Sequence, residues 1–235
     1  MPLDAAGVHD LDAMSRAVTA ATRLVYVCNP NNPTGTIVAT EKLRQFCADV
    51  SRRAAVLVDE AYLEYADDFP ASSMIDFVRK GADVIVLRTF SKIYGLAGMR
   101  VGYGLAKPEI AARLRRFRMS WFNPVSLRAA IASLQDQEFV GESRRRNNLT
   151  REFMRREFEK MNLRQVPSHV NSIWVNMGAG NRDLPARLAG YNIQIRGANN
   201  APLDSDWARI TVGTQQEMQV FFKALREALA RSAKA

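Results

Sequence analysis

Three short apolar runs, separated by segments with helical spacing, constrain the fold of this chain more than any other feature. The runs are LVYVC at 24–28, AAVLV at 54–58 and DVIVL at 83–87. Continuous apolar runs of this length are typical of parallel strands that are buried on both faces. Between the first two runs, apolar residues recur at the spacing of one helix face: Leu43, Phe46, Cys47 and Val50. The alternation predicts an α/β fold with a mainly parallel sheet flanked by helices.

The pattern changes after Trp121, where a long helical stretch begins and shorter strand candidates follow it. These candidates are SIWVNM (172–177), YNIQIR (191–196) and ARITVG (208–213). Strands and helices in this order predict a smaller α+β domain, which a final helix closes. We therefore predict a large domain over residues 1–158 and a small C-terminal domain over residues 159–235, with the boundary inside the long helix.

Polar side chains follow each apolar run of the first half, at the point where the strand would end. The first run leads into NPNNPTG (29–35), the second into DEAY (59–62) and the third into TFSK (89–92). In an open parallel sheet, ligands bind beyond the carboxyl ends of the strands, so these segments would surround one crevice. Arg100 follows Lys92 closely in the sequence and could return to the same place.

The chemistry of these side chains suits an anionic aromatic cofactor. A lysine among hydroxyls and glycines can act as a nucleophile, so Lys92 would supply the amine for a Schiff base. Asp59 would pair with a ring nitrogen, and Asn32 and Tyr62 would hold a phenolic oxygen. A phosphate would be bound by Thr89, Ser91 and Arg100.

Taken together, the motifs NPNNPTG, VDEAY, RTFSK and ARITVGT resemble those of the class I/II aminotransferases of pyridoxal-phosphate fold type I. Within that family the resemblance is strongest to the histidinol-phosphate aminotransferases. The resemblance implies an enzyme that uses pyridoxal 5'-phosphate to move an amino group between an amino acid or histidinol phosphate and a 2-oxo acid such as 2-oxoglutarate. It also implies a place in histidine or other amino-acid biosynthesis.

The resemblance assigns cofactor roles to individual residues. Lys92 matches the lysine that binds the cofactor aldehyde and then moves the α-proton. Asp59 matches the carboxylate that keeps the pyridine nitrogen protonated, which makes the ring a better electron sink. Tyr62 and Asn32 match the donors to the phenolic oxygen. The residues that match the phosphate anchors are Thr89, Ser91 and Arg100.

On the substrate side, the resemblance points to two arginines of the C-terminal part. Arg209, in ARITVG, matches the arginine that clamps the α-carboxylate, and Asn32 would assist it. Arg196 is a candidate for binding a distal anionic group of the substrate.

Three tyrosines outside the motifs are interpreted as packing residues: Tyr26, Tyr65 and Tyr94. Because members of this family are dimers with shared active sites, we also expect a homodimer.

The chain departs from the family pattern at its N-terminal end. Members of this family are longer, and the part without a counterpart here would precede residue 1. That part carries a small-residue turn that binds the cofactor phosphate and an aromatic residue that stacks on the ring. We therefore expect a relative that lacks the N-terminal third. The alternatives are a catalytically impaired or inactive remnant, and a related pyridoxal-phosphate-dependent phosphoamino-acid decarboxylase.

Charge and cysteine content indicate which partners and which compartment to expect. The formal net charge is +9, and much of the excess lies in arginine clusters at 113–118 and 144–156. Nucleic-acid binding is one interpretation of these clusters. We favour solvated helix faces, because no aromatic residues interleave at stacking spacing.

The chain has no leader-like start, no membrane-length apolar run and no metal-ligand spacing at Cys28 or Cys47. These features favour a cytoplasmic protein without metal, nucleic-acid or membrane partners.

Overall fold

The computed structural model describes residues 3–117, 121, 123–178, 181, 183–197 and 206–232. The chain divides into two compact units. The first unit comprises residues 1–31 and 36–144, and the second comprises residues 32–35 and 145–235. This division and the predicted domain boundary at 158 both fall within one long helix, Gln137–Lys160.

The first unit alternates helices and strands as the sequence predicts. In chain order its elements are α1 (Leu11–Arg16), β1 (Leu24–Cys28), α2 (Thr40–Val50), β2 (Ala55–Asp59), α3 (Ile75–Arg79), β3 (Val84–Thr89), β4 (Gly102–Leu105), α4 (Pro108–Arg115), α5 (Pro124–Gln135) and the beginning of α6 (Gln137–Lys160). Short 3₁₀ turns lie at Leu63–Tyr65 and Ala97–Met99.

The sheet of the first unit has the order β1-β2-β3-β4. Strands β1, β2 and β3 are parallel, and β4 is antiparallel to β3. The prediction of an α/β fold with a mainly parallel sheet is therefore confirmed. The register pairs Cys28 with Asp59 and Asp59 with Leu87, so the carboxyl ends of the three parallel strands meet at one edge.

The core of the first unit forms where the strands pack against α2. Alternate strand residues are fully buried there, namely Val27, Val56, Val58, Val84 and Val86. The predicted apolar face of α2 packs against them: Leu43, Phe46, Cys47 and Val50. This burial removes apolar surface from water and fixes the strands whose ends carry the polar motifs.

The second unit is built on a three-stranded antiparallel sheet with the order β5-β7-β6. Its elements are the remainder of α6, β5 (Ser172–Asn176), α7 (Leu184–Ala189), β6 (Arg196–Gly197), β7 (Trp207–Thr211) and α8 (Gln215–Ser232). The start of α8 carries a capping box, because the Glu217 carboxylate accepts the Thr214 amide and the Thr214 hydroxyl accepts the Glu217 amide. Helices α6, α7 and α8 bury aromatic and aliphatic side chains against the sheet: Met154, Phe158, Leu188, Phe222 and Leu225.

The predicted strand at 191–196 is wrong for most of its length, since within these residues only Arg196 pairs with β7. The preceding amides instead complete the end of α7. The Ile193 amide donates to the Leu188 carbonyl, and Asn192 adopts a left-handed conformation with φ 58°. Ile193 and Ile195 still pack against the core. The apolar pattern therefore indicated burial correctly, although these residues follow the end of α7 and are not in a strand.

None of the described helices combines the length and the apolar composition that a crossing of the lipid bilayer would require.

Candidate active site

The carboxyl ends of β2 and β3 bring Lys92 and Tyr62 together. The Glu60 amide donates to the Leu87 carbonyl at 2.9 Å, which holds the two strand ends side by side. Beyond this point the Lys92 Nζ lies 5.0 Å from the centroid of the Tyr62 ring. Tyr62 is buried and Lys92 is half-buried. Two side chains predicted from separate motifs therefore face each other at one edge of the sheet.

Asp59, the last residue of β2, has both carboxylate oxygens engaged. Its Oδ1 accepts the Ala61 amide at 3.0 Å, and its Oδ2 accepts the Tyr26 hydroxyl at 2.9 Å. Tyr26 lies on β1 opposite Leu57, so it reaches Asp59 diagonally across the parallel pair. The interpretation of Tyr26 as a packing residue is wrong, because its side chain is half exposed and its hydroxyl donates to Asp59, the residue predicted to bind the ring nitrogen of the cofactor.

A buried ionic network supports the segment that carries Asp59 and Tyr62. The Glu60 carboxylate is 1% exposed and accepts the Met74 amide at 2.7 Å and the Ser73 hydroxyl at 2.8 Å. Arg88 donates to the same carboxylate through Nε at 3.0 Å and Nη2 at 2.8 Å. Its Nη1 lies 3.6 Å from Oε1 of Glu64. Glu60 and Glu64 flank Tyr62 in the sequence, so Arg88 fixes that segment from both sides.

Two further contacts complete this network. The Arg88 guanidinium lies over the Phe69 ring, 5.2 Å from its centroid, and the Arg144 Nε donates to the Glu64 carbonyl. Burial raises the pKa of the Glu64 carboxyl, and the charge of Arg88 opposes that rise. This network was not predicted from the sequence. The feature of the sequence that indicates such a network is a charged residue, Arg88, after the apolar run of strand β3.

The predicted phosphate anchors lie at the end of β3 and in the turn that returns to β4. The Thr89 Oγ1 accepts the Ser91 amide at 3.1 Å, and the Phe90 amide donates to the Val101 carbonyl at 3.2 Å. Arg100 therefore directly precedes the residue that pairs with the strand end. Its Nη1 donates to the Ala97 carbonyl at 2.8 Å, and its φ of 51° is left-handed. Non-glycine residues held in that region are frequent at functional sites.

In the second unit, Arg209 and Asn32 form a pair. The Arg209 Nη1 donates to the Asn32 Oδ1 at 2.9 Å. The Arg209 Nε is buried and has no acceptor among the described residues. On β7 the backbone of Arg209 pairs with that of Trp174 on β5 and with that of Arg196 on β6. The side chain of Arg196 lies outside the described part of the structure, so its predicted contact with the substrate stays a prediction.

Gly35 fixes the loop that carries Asn32. Its φ is 77°, and a Cβ at this position would lie 2.6 Å from the Ser168 Oγ. The His169 amide also donates to the Gly35 carbonyl at 2.7 Å. The last residue of the NPTG motif is therefore glycine for two reasons, the left-handed backbone and the close approach of Ser168.

Two arginines of the cluster at 144–156 pair with a glutamate on their own helix. On α6, Glu152 accepts hydrogen bonds from Arg155 at 2.7 Å and from Arg156 at 2.8 Å. Arg155, and then Arg156, lower the pKa of Glu152 to about 2. These pairs are typical of a solvated helix face.

The comparisons with known proteins agree with this arrangement. The family model "Aminotransferase class I and II" matches residues 4–225. The chain belongs to this aminotransferase family. The histidinol-phosphate aminotransferase of Moorella thermoacetica is 44% identical over 226 residues, and histidinol-phosphate aminotransferase 2 of Pseudomonas fluorescens is 39% identical over 225 residues.

Solved aminotransferase structures show the same fold. The histidinol-phosphate aminotransferase of Sinorhizobium meliloti, whose crystal structure is of a complex with pyridoxal-5'-phosphate, superposes with a TM-score of 0.85 at 32% identity. The match covers 94% of the present chain and 61% of that protein. The chain likewise spans 58% of the Moorella protein and 60% of the Pseudomonas protein. The fold is thus that of the pyridoxal-phosphate enzymes of fold type I, over a little more than half of the length of these relatives.

Proposed function

We propose that the chain acts in a pyridoxal-phosphate-dependent transamination between histidinol phosphate, or an amino acid, and a 2-oxo acid such as 2-oxoglutarate. The observation that carries this proposal is the approach of the Lys92 Nζ to the Tyr62 ring, at the sheet edge where Asp59 ends β2. Family membership and the names of the relatives support the reaction class and the substrate.

The residues of the first unit fit the chemical groups of pyridoxal phosphate. The amine of Lys92 would bind its aldehyde, and the oriented carboxylate of Asp59 would bind its ring nitrogen. The Tyr62 hydroxyl would donate to the phenolic oxygen. The phosphate would be bound by two hydroxyls and a guanidinium, those of Thr89, Ser91 and Arg100.

Within this scheme, each protein residue has a limited task. The bound cofactor supplies an electron sink that eases loss of the α-proton from the substrate. Lys92 Nζ would take up that proton and return it to a different carbon. The negative charge of Asp59 would keep the ring nitrogen protonated. The buried Glu60–Arg88 pair would keep Asp59 and Tyr62 in register for these contacts.

Arg209 suits the α-carboxylate of the substrate. Its guanidinium can bind a carboxylate through two parallel hydrogen bonds, and its buried Nε has no acceptor in the described structure. The Asn32 oxygen accepts from Arg209, and its NH₂ group is a separate donor. The assignment of Asn32 to the phenolic oxygen, and of Arg196 to the distal group of the substrate, stay predictions from the resemblance.

We also propose a homodimer in the cytoplasm. Helix α5 presents an exposed apolar row that a second copy could cover, formed by Leu127, Ile131 and Leu134 at i, i+4 and i+7 spacing. Cys28 and Cys47 are buried and form no disulfide with each other, which accords with a reducing compartment. Analytical ultracentrifugation tests the dimer, and a sedimentation profile of monomer alone would contradict it.

Three measurements on the purified chain test the proposed reaction. We expect it to bind pyridoxal phosphate with a visible absorbance band, and we expect borohydride reduction to attach the cofactor to Lys92. Lys92→Ala should abolish that attachment, whereas Lys80→Ala, at the exposed end of α3, should leave it intact. Incubation with histidinol phosphate and 2-oxoglutarate should then yield glutamate.

The other outcomes separate the alternatives. Binding without amino transfer would identify an impaired remnant. Release of carbon dioxide from a phosphoamino acid would identify a decarboxylase. Failure to bind pyridoxal phosphate at all would refute the proposal.

A further inference from the structure

Tyr26 makes a contact that a packing role does not explain. It lies on β1, its side chain is 50% exposed, and its hydroxyl donates to the Asp59 Oδ2 at 2.9 Å. A half-exposed ring gains little from burial, and phenylalanine would fill the same space equally well. The one property that tyrosine adds here is the hydroxyl, and that hydroxyl is directed at a carboxylate.

The direction of this hydrogen bond is fixed by the chemistry of the two groups. Partial burial, and then the nearby Cys28 and Asp59, raise the pKa of the Tyr26 phenol above its usual value. The phenol therefore keeps its proton at neutral pH, and it is the donor. An ionised carboxylate only accepts, and each of its oxygens has room for more than one hydrogen bond.

The geometry leaves Asp59 oriented and still able to accept. One oxygen takes the Ala61 amide from the chain that continues past β2, and the other takes the Tyr26 hydroxyl from the neighbouring strand. These two bonds come from different directions and define the plane of the carboxylate. A third donor can then meet a carboxylate that is already in place, which lowers the entropic cost of binding.

We propose that Tyr26 is a positioning residue, whose hydroxyl holds the Asp59 carboxylate in the orientation that receives the protonated ring nitrogen of the cofactor. This inference rests on the proposed function, because it assigns the third donor to pyridoxal phosphate. Tyr26 itself acts through Asp59. It belongs to none of the motifs that carry the family resemblance.

The test compares two probes that differ only at the ring nitrogen. One is pyridoxal 5'-phosphate, and the other is its carbocyclic analogue, in which the ring nitrogen is replaced by CH. Binding of each is measured by titration of wild-type protein, Tyr26→Phe and Tyr191→Phe, where the last variant removes a hydroxyl from the second unit. Tyr26→Phe should weaken binding of pyridoxal phosphate by about threefold to tenfold, the range for the loss of one ordinary intramolecular hydrogen bond. It should leave binding of the analogue unchanged, and Tyr191→Phe should leave both unchanged.

A second measurement is made without cofactor. Urea denaturation of Tyr26→Phe, Asp59→Ala and the double variant should show non-additive shifts of the unfolding midpoint, because each single variant breaks the same hydrogen bond. Additive shifts would overturn the inference.

The binding results separate the inference from the proposed function. If Tyr26→Phe weakened both probes equally, or weakened neither, while wild-type protein bound pyridoxal phosphate, only the positioning role would be refuted. If wild-type protein bound neither probe, the proposed function would fail. Non-additive shifts in the cofactor-free protein would in that case still uphold the Tyr26–Asp59 pairing.

Discussion

The two units of the molecule hold their functional charges in opposite ways. In the first unit, the segment around Asp59 and Tyr62 is fixed by the buried Glu60–Arg88 pair, whose carboxylate accepts from two side chains and one backbone amide. In the second unit, Arg209 has a single described side-chain partner, Asn32, and a buried Nε without an acceptor. A group that must stay in place for a resident cofactor benefits from fixed partners. A side chain that binds a substrate, as proposed for Arg209, benefits from a partner that the carboxylate of the substrate can replace, or beside which it can bind.

The largest expected effect comes from removing the fixed charge of the first unit. Arg88→Ala would leave Glu60 buried without its cation, and we expect the free energy of unfolding to fall by about 3–5 kcal/mol. Urea denaturation measures this loss. The matched control is Arg79→Ala, which removes an exposed ion pair with Asp76 and should cost less than about 1 kcal/mol. Similar losses in the two variants would mean that the buried network is not what stabilises the first unit.

A smaller effect is expected at Gly35, which supports the Asn32 loop. Gly81 has the same left-handed conformation with open space around it, so Gly81→Ala should cost only the backbone strain of about 1–2 kcal/mol. Gly35→Ala adds a clash with the Ser168 Oγ and should exceed Gly81→Ala by about 1 kcal/mol or more. Thermal unfolding of both variants gives the comparison, and equal losses would show that Ser168 moves aside freely.

At Arg209 we expect binding to change more than stability. Arg209→Lys keeps the positive charge but loses the planar fork, so the free energy of unfolding should change by less than about 1 kcal/mol. The apparent affinity for the amino-acid substrate should fall about tenfold or more, because a bidentate contact with the carboxylate is lost. Steady-state kinetics and urea denaturation of the same preparation test both parts. A large loss of stability with unchanged substrate affinity would reverse the contrast between the two units.

The smallest effect should be a pH-dependent gain at Glu64. Since burial raises the pKa of this carboxyl in the folded state, its ionisation opposes folding at neutral pH. Glu64→Gln should therefore be slightly more stable than wild type at pH 7. The gain should disappear as the pH falls below about 4, where the wild-type carboxyl is protonated in both states. Denaturation midpoints at several pH values test this, and a variant that is less stable than wild type at pH 7 would show that the charge of Glu64 is favourable.

The pattern of apolar runs was sufficient to predict the parallel strands and the buried face of α2. The same pattern placed Lys92 and Asp59 at strand ends, because the carboxyl ends of neighbouring parallel strands meet at one edge. It failed at 191–196, where Ile193 and Ile195 contribute to the core from the end of a helix. Apolar spacing reports burial, and over so short a segment it does not separate a strand from a helix end.

The sequence by itself determined the fold class, the family and the chemical identity of the candidate cofactor residues, since these depend on local spacing and on motifs. Only the tertiary structure decided which polar side chains meet. The contact of Tyr26 with Asp59 and that of Arg88 with Glu60 both depend on how neighbouring strands are aligned, and a shift of one residue would turn each side chain to the other face. That alignment is set by the packing of the whole sheet, and no segment read alone contains it.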